Sequence, residues 1–359
     1  MADIQPEAAT GVSPRRQHAR SALVDAKGHL QGRALKLAGY VLVAYVVLKL
    51  IPTLKRALDS LEHVAWQWVL GAIVMEVLSE IGFVVAWSAI VDPENLLGGD
   101  GSGRRMDERV AWAQLGGGLL LPGGSLGGMG VGAVILHRFG MPTKRIAERQ
   151  LNLTFLNTAV DALALVIFGV GLAVGAFSGE RNLLLTLLPP ALAAAGMAAV
   201  VLIARRSGGY AKRLQARRPK IARAIATLTD AVEDTERLLF HRGAWSSVLG
   251  IVAYLGFDVL VLWSAFFAVH AHPIPGFAVV TVAYIIGALG GSIPLPASAG
   301  TIGGISAMLI VYGVAPNPAV AAVLLHQAIG LLVPLVGGAI AYAILRRRLG
   351  PIRARAQQG

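Results

Sequence analysis

Four carboxylates stand inside runs of otherwise apolar residues. Glu76 and Glu80 are one helical turn apart, and Asp161 and Asp258 are each flanked by aliphatic residues. An ionisable side chain at membrane depth is expensive and marks either a protein-lined polar path or an interhelical strut. Two carboxylates at i and i+4 repel, which calls for a proton or a partner on one of them. The chemistry open to the four is binding of a cationic headgroup, coupling to proton movement, or hydrogen bonding between helices. His326, beside Gln327, either titrates near neutral pH in a relay or packs as a hydrogen-bonded histidine. Other chemistries lack their residues. The chain has no cysteine, which removes disulfides, thiolate metal sites and cysteine nucleophiles. The run Gly-Gly-Ser-Leu-Gly-Gly at 123–128 is not followed by the Gly-Lys-Ser/Thr of a nucleotide-binding loop. No His-Glu-x-x-His occurs, and Gly-Gly-Ser-Leu-Gly at 123–127, which has the letters Gly-x-Ser-x-Gly, stands in a glycine-rich apolar stretch and not at a strand-to-helix elbow. The sequence therefore implies no cofactor, no metal and no enzyme activity. An intramembrane lipid- or polyprenyl-carrier-modifying enzyme stays open as an alternative, because such enzymes scatter their residues over loops.

The elements that position these residues follow from hydropathy. Of the 359 residues, 55% are hydrophobic and 14% charged, against about 25% charged in a soluble domain. The mean hydropathy is +0.64. Six runs reach the length that crosses a bilayer: 35–51, 64–91, 150–177, 183–204, 245–269 and 319–345. With the N-terminus inside, 27 of the 32 Lys and Arg fall in the segments 1–34, 92–110, 137–149, 205–242 and 346–359, as the positive-inside rule requires. The net charge of +12 thus reads as topology and as attraction to anionic phospholipid at the cytoplasmic face, with no nucleic acid. Assembly of copies of the chain is left open.

Two further apolar stretches differ from spans. Residues 111–136 are glycine-rich, broken at Pro122, and basic at both ends; they are too short to cross twice. They are expected to form a re-entrant hairpin from the cytoplasmic side. Residues 276–313, broken at Pro294 and Pro296, are either a second hairpin from the opposite face or a pair of short full spans, giving eight in all. Both stretches share Leu-Pro (Leu121-Pro122 and Leu295-Pro296), then Gly-Gly (Gly127-Gly128 and Gly303-Gly304), then aromatic-Gly (Phe139-Gly140 and Tyr312-Gly313). Repeat one, 35–177, and repeat two, 183–345, each hold three spans with a hairpin before the third. Three is odd, so the second copy enters the membrane upside down, as in many secondary transporters. The expected fold is an all-α polytopic membrane protein: one transmembrane domain over 35–345 between cytoplasmic basic tails at 1–34 and 346–359. Residues 205–242 form either an amphipathic helix at the headgroups or a solvated helical connector.

These motifs resemble the transmembrane region of lysylphosphatidylglycerol synthases and their stand-alone, flippase-like relatives. The resemblance is carried by LLPGGSLGG at 120–128, Asp161 in NTAVDALAL, PASAGTIGG at 296–304, Tyr312-Gly313-Val314, Pro318-Ala319-Val320-Ala321-Ala322 and Pro334. It implies a glutamate where this chain has Ser306 and a last-helix arginine where it has Gln327. The length leaves no room for a synthetase domain, so no aminoacyl transfer is implied. The resulting expectation is a carrier in the cytoplasmic membrane, both termini cytoplasmic, that moves a lipid or other amphiphile. Its substrate path comprises Pro122, Gly123, Gly124, Ser125, Arg138, Pro296, Gly300, Gly303 and Ser306, with Glu76, Glu80, Asp161, Asp258, His326 and Gln327 as polar groups. A non-transporting scaffold or accessory subunit is the remaining alternative.

Overall fold

The structure, a computed structural model, describes residues 64–92, 103–120, 125–179, 183–207, 245–292 and 299–349. All of them belong to one compact unit, Arg56–Gly359. The run 35–51, most of the 205–242 connector, the N-terminal tail and residues 350–359 of the C-terminal tail lie outside the described residues. Nine α-helices are described: α1 (Trp66–Val91), α2 (Gly103–Leu120), α3 (Ser125–Arg138), α4 (Thr143–Ala173), α5 (Leu183–Ser207), α6 (Trp245–Ala268), α7 (Phe277–Ala288), α8 (Ala299–Val311) and α9 (Pro316–Leu349). Five of them, α1, α4, α5, α6 and α9, are long and apolar enough to cross a membrane. Many of their large apolar side chains are exposed, among them Leu163 and Ile167 of α4 and Ile340 of α9. A soluble protein would bury such a surface; a helix that meets lipid leaves it open.

Five of the six expected runs coincide with these helices. The main departure is at α4, which begins at Thr143 rather than near 150. Its first two turns carry Lys144, Arg145, Glu148 and Arg149, so an apolar run alone marks only the part that hydrocarbon can cover. Pro142, extended at φ −62°, ψ 139°, precedes the first turn without a side-chain cap. At the other end of the chain α9 runs through Pro334.

Both stretches expected to be hairpins consist of two helices that pack on each other, α2 on α3 and α7 on α8. The connecting tips, 121–124 and 293–298, are outside the described residues. The paired sequence motifs have structural roles. A Cβ on Gly128 would lie 3.0 Å from the Gly118 nitrogen, and one on Gly304 would lie 3.1 Å from the Gly287 carbonyl carbon. The second glycine of each Gly-Gly pair is therefore where one arm touches the backbone of the other. The aromatic-Gly pairs end the second arms. Gly140 (φ +92°) and Gly313 (φ +87°) are left-handed. The following residues, Met141 and Val314, donate N–H bonds back to the carbonyls of Leu136 and Leu309 at 3.1 and 3.0 Å. This is the Schellman closure, and its positive φ favours glycine.

The helix pairings obey an exchange rule. Replacing α1 by α6, α2 by α7, α3 by α8 and α4 by α9 converts α2–α9 packing into α7–α4, α1–α4 into α6–α9, α3–α4 into α8–α9, and α1–α2 into α6–α7; all of these contacts are present. The pair α1–α6 maps onto itself and is the most extensive contact. There the backbones touch. A Cβ on Gly82 would lie 2.7 Å from the Gly250 carbonyl oxygen, and a Cβ on Gly250 would lie 2.7 Å from that of Gly82. Small residues permit such an approach between membrane helices, where close packing supplies much of the association.

Candidate functional site

The α1–α6 crossing brings ionisable residues from both halves together. Asp258 of α6 accepts a hydrogen bond from the Tyr284 hydroxyl of α7, and its Oδ1 lies 2.7 Å from Nε2 of His326 on α9. The Tyr284 and His326 rings meet edge to face, 5.7 Å between centroids. Glu76 of α1 points at α9, where a Cβ on Gly330 would come within 3.5 Å of its Oε1. Asp258, Glu80 and His326 are all near enough to Glu76 to act on its charge. Asp161 of α4 likewise senses Asp258 and is bonded by the Asn157 amide of its own helix at 3.3 Å. One turn from Glu76, the Ser79 hydroxyl donates to the Tyr254 carbonyl at 2.7 Å, tying α1 to α6. Gln327 places Nε2 3.4 Å from the second His326 nitrogen.

The acids lie deep along their helices. Glu76, Glu80, Asp161 and Asp258 are each at least ten residues from either helix end, roughly 15 Å of rise. Glu76 and Glu80 are 4% exposed, whereas the Asp258 side chain retains 17%. The two glutamates are therefore sealed, while Asp258 keeps some accessible surface.

A second buried polar group joins three helices of the first half. The Gln114 and Gln150 amides bond each other at 3.2 and 2.8 Å, and the Trp87 indole donates to Gln114 Oε1 at 2.9 Å. It locks the first hairpin arm, α2, between α1 and α4. Past the end of α1, Asp92 and Asp107 are buried side by side. Burial first, then the Asp92 charge and their shared hydrogen bond, push the Asp107 carboxyl up to about 7. Where α4 begins, a cavity of about 420 Å³ is lined by Pro142, Lys144, Arg145, Glu148, Arg149 and Asn152. Lys144 and Glu148 form an ion pair at 3.6 Å within it.

Six of the residues singled out in the sequence converge on the cluster: Glu76, Glu80, Asp161, Asp258, His326 and Gln327. Others stand elsewhere. Arg138 is exposed at the end of α3; Gly300 and Ser306 are buried on α8, and Gly303 faces open space. The Ser306 hydroxyl has no hydrogen-bond partner among the described residues. Ser125 opens α3, and Pro122, Gly123, Gly124 and Pro296 lie outside the described residues. Sequence reasoning missed Tyr254, Tyr284, Asn157 and the Gln114–Gln150–Trp87 group. The signal available was a polar atom recurring in an otherwise aliphatic helix.

The model of the family described as the lysylphosphatidylglycerol synthase TM region matches residues 36–338. The chain belongs to this family. The match runs from before α1 to within α9 and takes in every residue of the cluster. No curated protein matches the chain. The family is one of membrane domains, and the five long apolar helices agree with a membrane-embedded protein.

Proposed function

We propose that the chain is a flippase-like carrier, not an enzyme, that moves a lipid or other amphiphile across the cytoplasmic membrane. The observation that carries this reading is the cluster around Asp258: both halves contribute to it, it lies at least ten residues inside its long apolar helices, and its Asp258 side chain keeps 17% of its surface accessible. Polar groups at that depth suit a headgroup that crosses while its tails stay in lipid. An enzyme acting on a lipid headgroup would instead gather its groups at one membrane face.

The inverted repeat belongs to this proposal. The exchange rule among helix pairings supports two copies of one unit, and the odd number of spans per copy gives them opposite orientation. Re-entry of the α2–α3 hairpin is supported by the cations at its two ends, Arg104, Arg105 and Arg109 in the first turns of α2 and Arg138, Lys144 and Arg145 at and beyond the end of α3. In this layout both termini are cytoplasmic, and the basic cavity at the start of α4 meets anionic phospholipid headgroups.

The test is reconstitution into vesicles containing fluorescent phospholipids, with the rate at which label changes leaflet as readout. Asp258→Asn and Asp161→Asn should slow the movement while thermal unfolding in detergent shows the variants folded. Undiminished movement in both variants overturns the assignment of the path.

A further inference from the structure

Glu76 and Glu80 each keep one carboxyl oxygen, Oε2, buried without a hydrogen-bond partner among the described residues. The groups that face them can be named by helix. Asp258 and Tyr254 come from α6 and His326 from α9; Asp161 of α4 and Tyr284 of α7 act through Asp258. On α2 the buried acid Asp107, with Glu108 beside it, lies instead against Asp92, beyond the end of α1. Among the described residues the cluster thus holds four carboxylates, and His326 is its one basic side chain. With every acid ionised and His326 protonated, the net charge is −3. Several unit charges of one sign inside a low-dielectric interior are not tolerated, and among the described residues Oε2 of Glu76 and of Glu80 has no hydrogen-bond donor to offset its charge. Among the described residues no group of three acids, histidines or cysteines is arranged to hold a metal ion. A proton requires no such cage and can reside on a single oxygen.

We propose that the cluster is a proton-loading site: Glu76 and Glu80 bind protons on their unpartnered oxygens and exchange them with water through Asp258 and His326 as the carrier changes conformation. Each step moves one proton between two oxygens or between an oxygen and a nitrogen, in either direction, with no other bond made or broken. Asp258, partly exposed and 2.7 Å from His326 Nε2, is the gate of this relay, and Glu76, turned toward Gly330, is its inner station. Loading removes charge from the α1–α9 contact and unloading restores it, so proton occupancy biases the packing of the two halves. Coupling to cargo rests on the carrier reading; proton binding does not.

Two experiments separate these. The first uses the full chain in lipid nanodiscs, with no cargo. Infrared difference spectra between about pH 5 and about pH 9, a range that brackets the ordinary histidine value, should show the carbonyl stretch of a protonated carboxylic acid that fades as pH rises and shifts in heavy water. Glu76→Gln and Glu80→Gln should each remove their part of it, unchanged by replacing sodium with a bulky organic cation. No such band, a band that does not vary with pH, or one that sodium displaces overturns the proposal. The second follows fluorescent phospholipid in vesicles under an imposed pH gradient. The leaflet ratio should depart from one, return to one with a protonophore, and stay at one in both variants. Lipid movement indifferent to the protonophore overturns the coupling. If no lipid moves under any condition, it is the cargo reading that fails, and the infrared titration alone decides the proton site.

Discussion

Adding a methyl group at the α1–α6 crossing should cost far more than adding one elsewhere on the same helices. In Gly82→Ala the new Cβ would sit 2.7 Å from the Gly250 carbonyl oxygen and 2.8 Å from the Tyr254 nitrogen. Both neighbours are backbone and cannot rotate away. Restoring van der Waals spacing parts the helices by roughly 0.5–1 Å, a gap that forfeits about a quarter to a half of each facing contact. Overpacking of this kind costs about 1–3 kcal/mol. Gly250→Ala pushes the same two backbones apart, so the double variant should cost less than the sum of the singles. Gly71 of α1 and Gly256 of α6 are the controls, because a Cβ on either meets nothing within 4 Å. There alanine should be neutral or stabilise by about 0.5–1 kcal/mol through its better helix propensity. Reversible unfolding in mixed detergent micelles measures the five variants and the parent chain on one scale. If Gly82→Ala and Gly71→Ala unfold at the same denaturant concentration, the backbone contact is not what joins the two halves.

The glutamine pair offers a second check. Gln114→Leu leaves the Trp87 indole and the Gln150 amide buried without their partner, and should lower stability by about 1–3 kcal/mol; unchanged unfolding would count against the network. Asp107 offers a third, through pH. Its carboxyl is raised to about 7 in the folded chain from an ordinary 3.8, so the folded state holds the proton more tightly than the unfolded one. The contribution is fully present below about pH 4 and is lost as pH rises through about 7. Asp107→Asn should flatten that decline, seen as thermal midpoints that vary less between acid and neutral buffer. An equal slope in both proteins would refute the account.

The spans were legible because an apolar run of sufficient length has few other uses. The start of α4 was not, since its first two turns are polar and project beyond any apolar run. The acids were legible one at a time, as Glu76, Glu80, Asp161 and Asp258 each interrupt aliphatic sequence. Their meeting was not, because it depends on Gly82 and Gly250, two among 43 glycines, finding each other across the halves. Tyr254 and Tyr284 resemble packing aromatics in a sequence; only the structure puts a hydroxyl on Asp258. The Leu-Pro/Gly-Gly/aromatic-Gly repeat was legible as a pattern, and the structure divides it into arm contacts at Gly128 and Gly304 and helix endings at Gly140 and Gly313.

The two longest helices carry a further consequence. With 31 and 34 residues, α4 and α9 are about 46 and 51 Å long at 1.5 Å per residue. Both exceed the roughly 30 Å of hydrocarbon they cross. Their surplus is charged: Lys144, Arg145 and Arg149 at the start of one, Arg346, Arg347 and Arg348 at the end of the other. Cations at the start of α4 that stay in the headgroup layer make that helix a gauge of bilayer thickness, and a thinner membrane is met by tilt. Asp161 and His326 ride on these two helices, so lipid chain length becomes a setting for the distance between the two sides of the polar cluster.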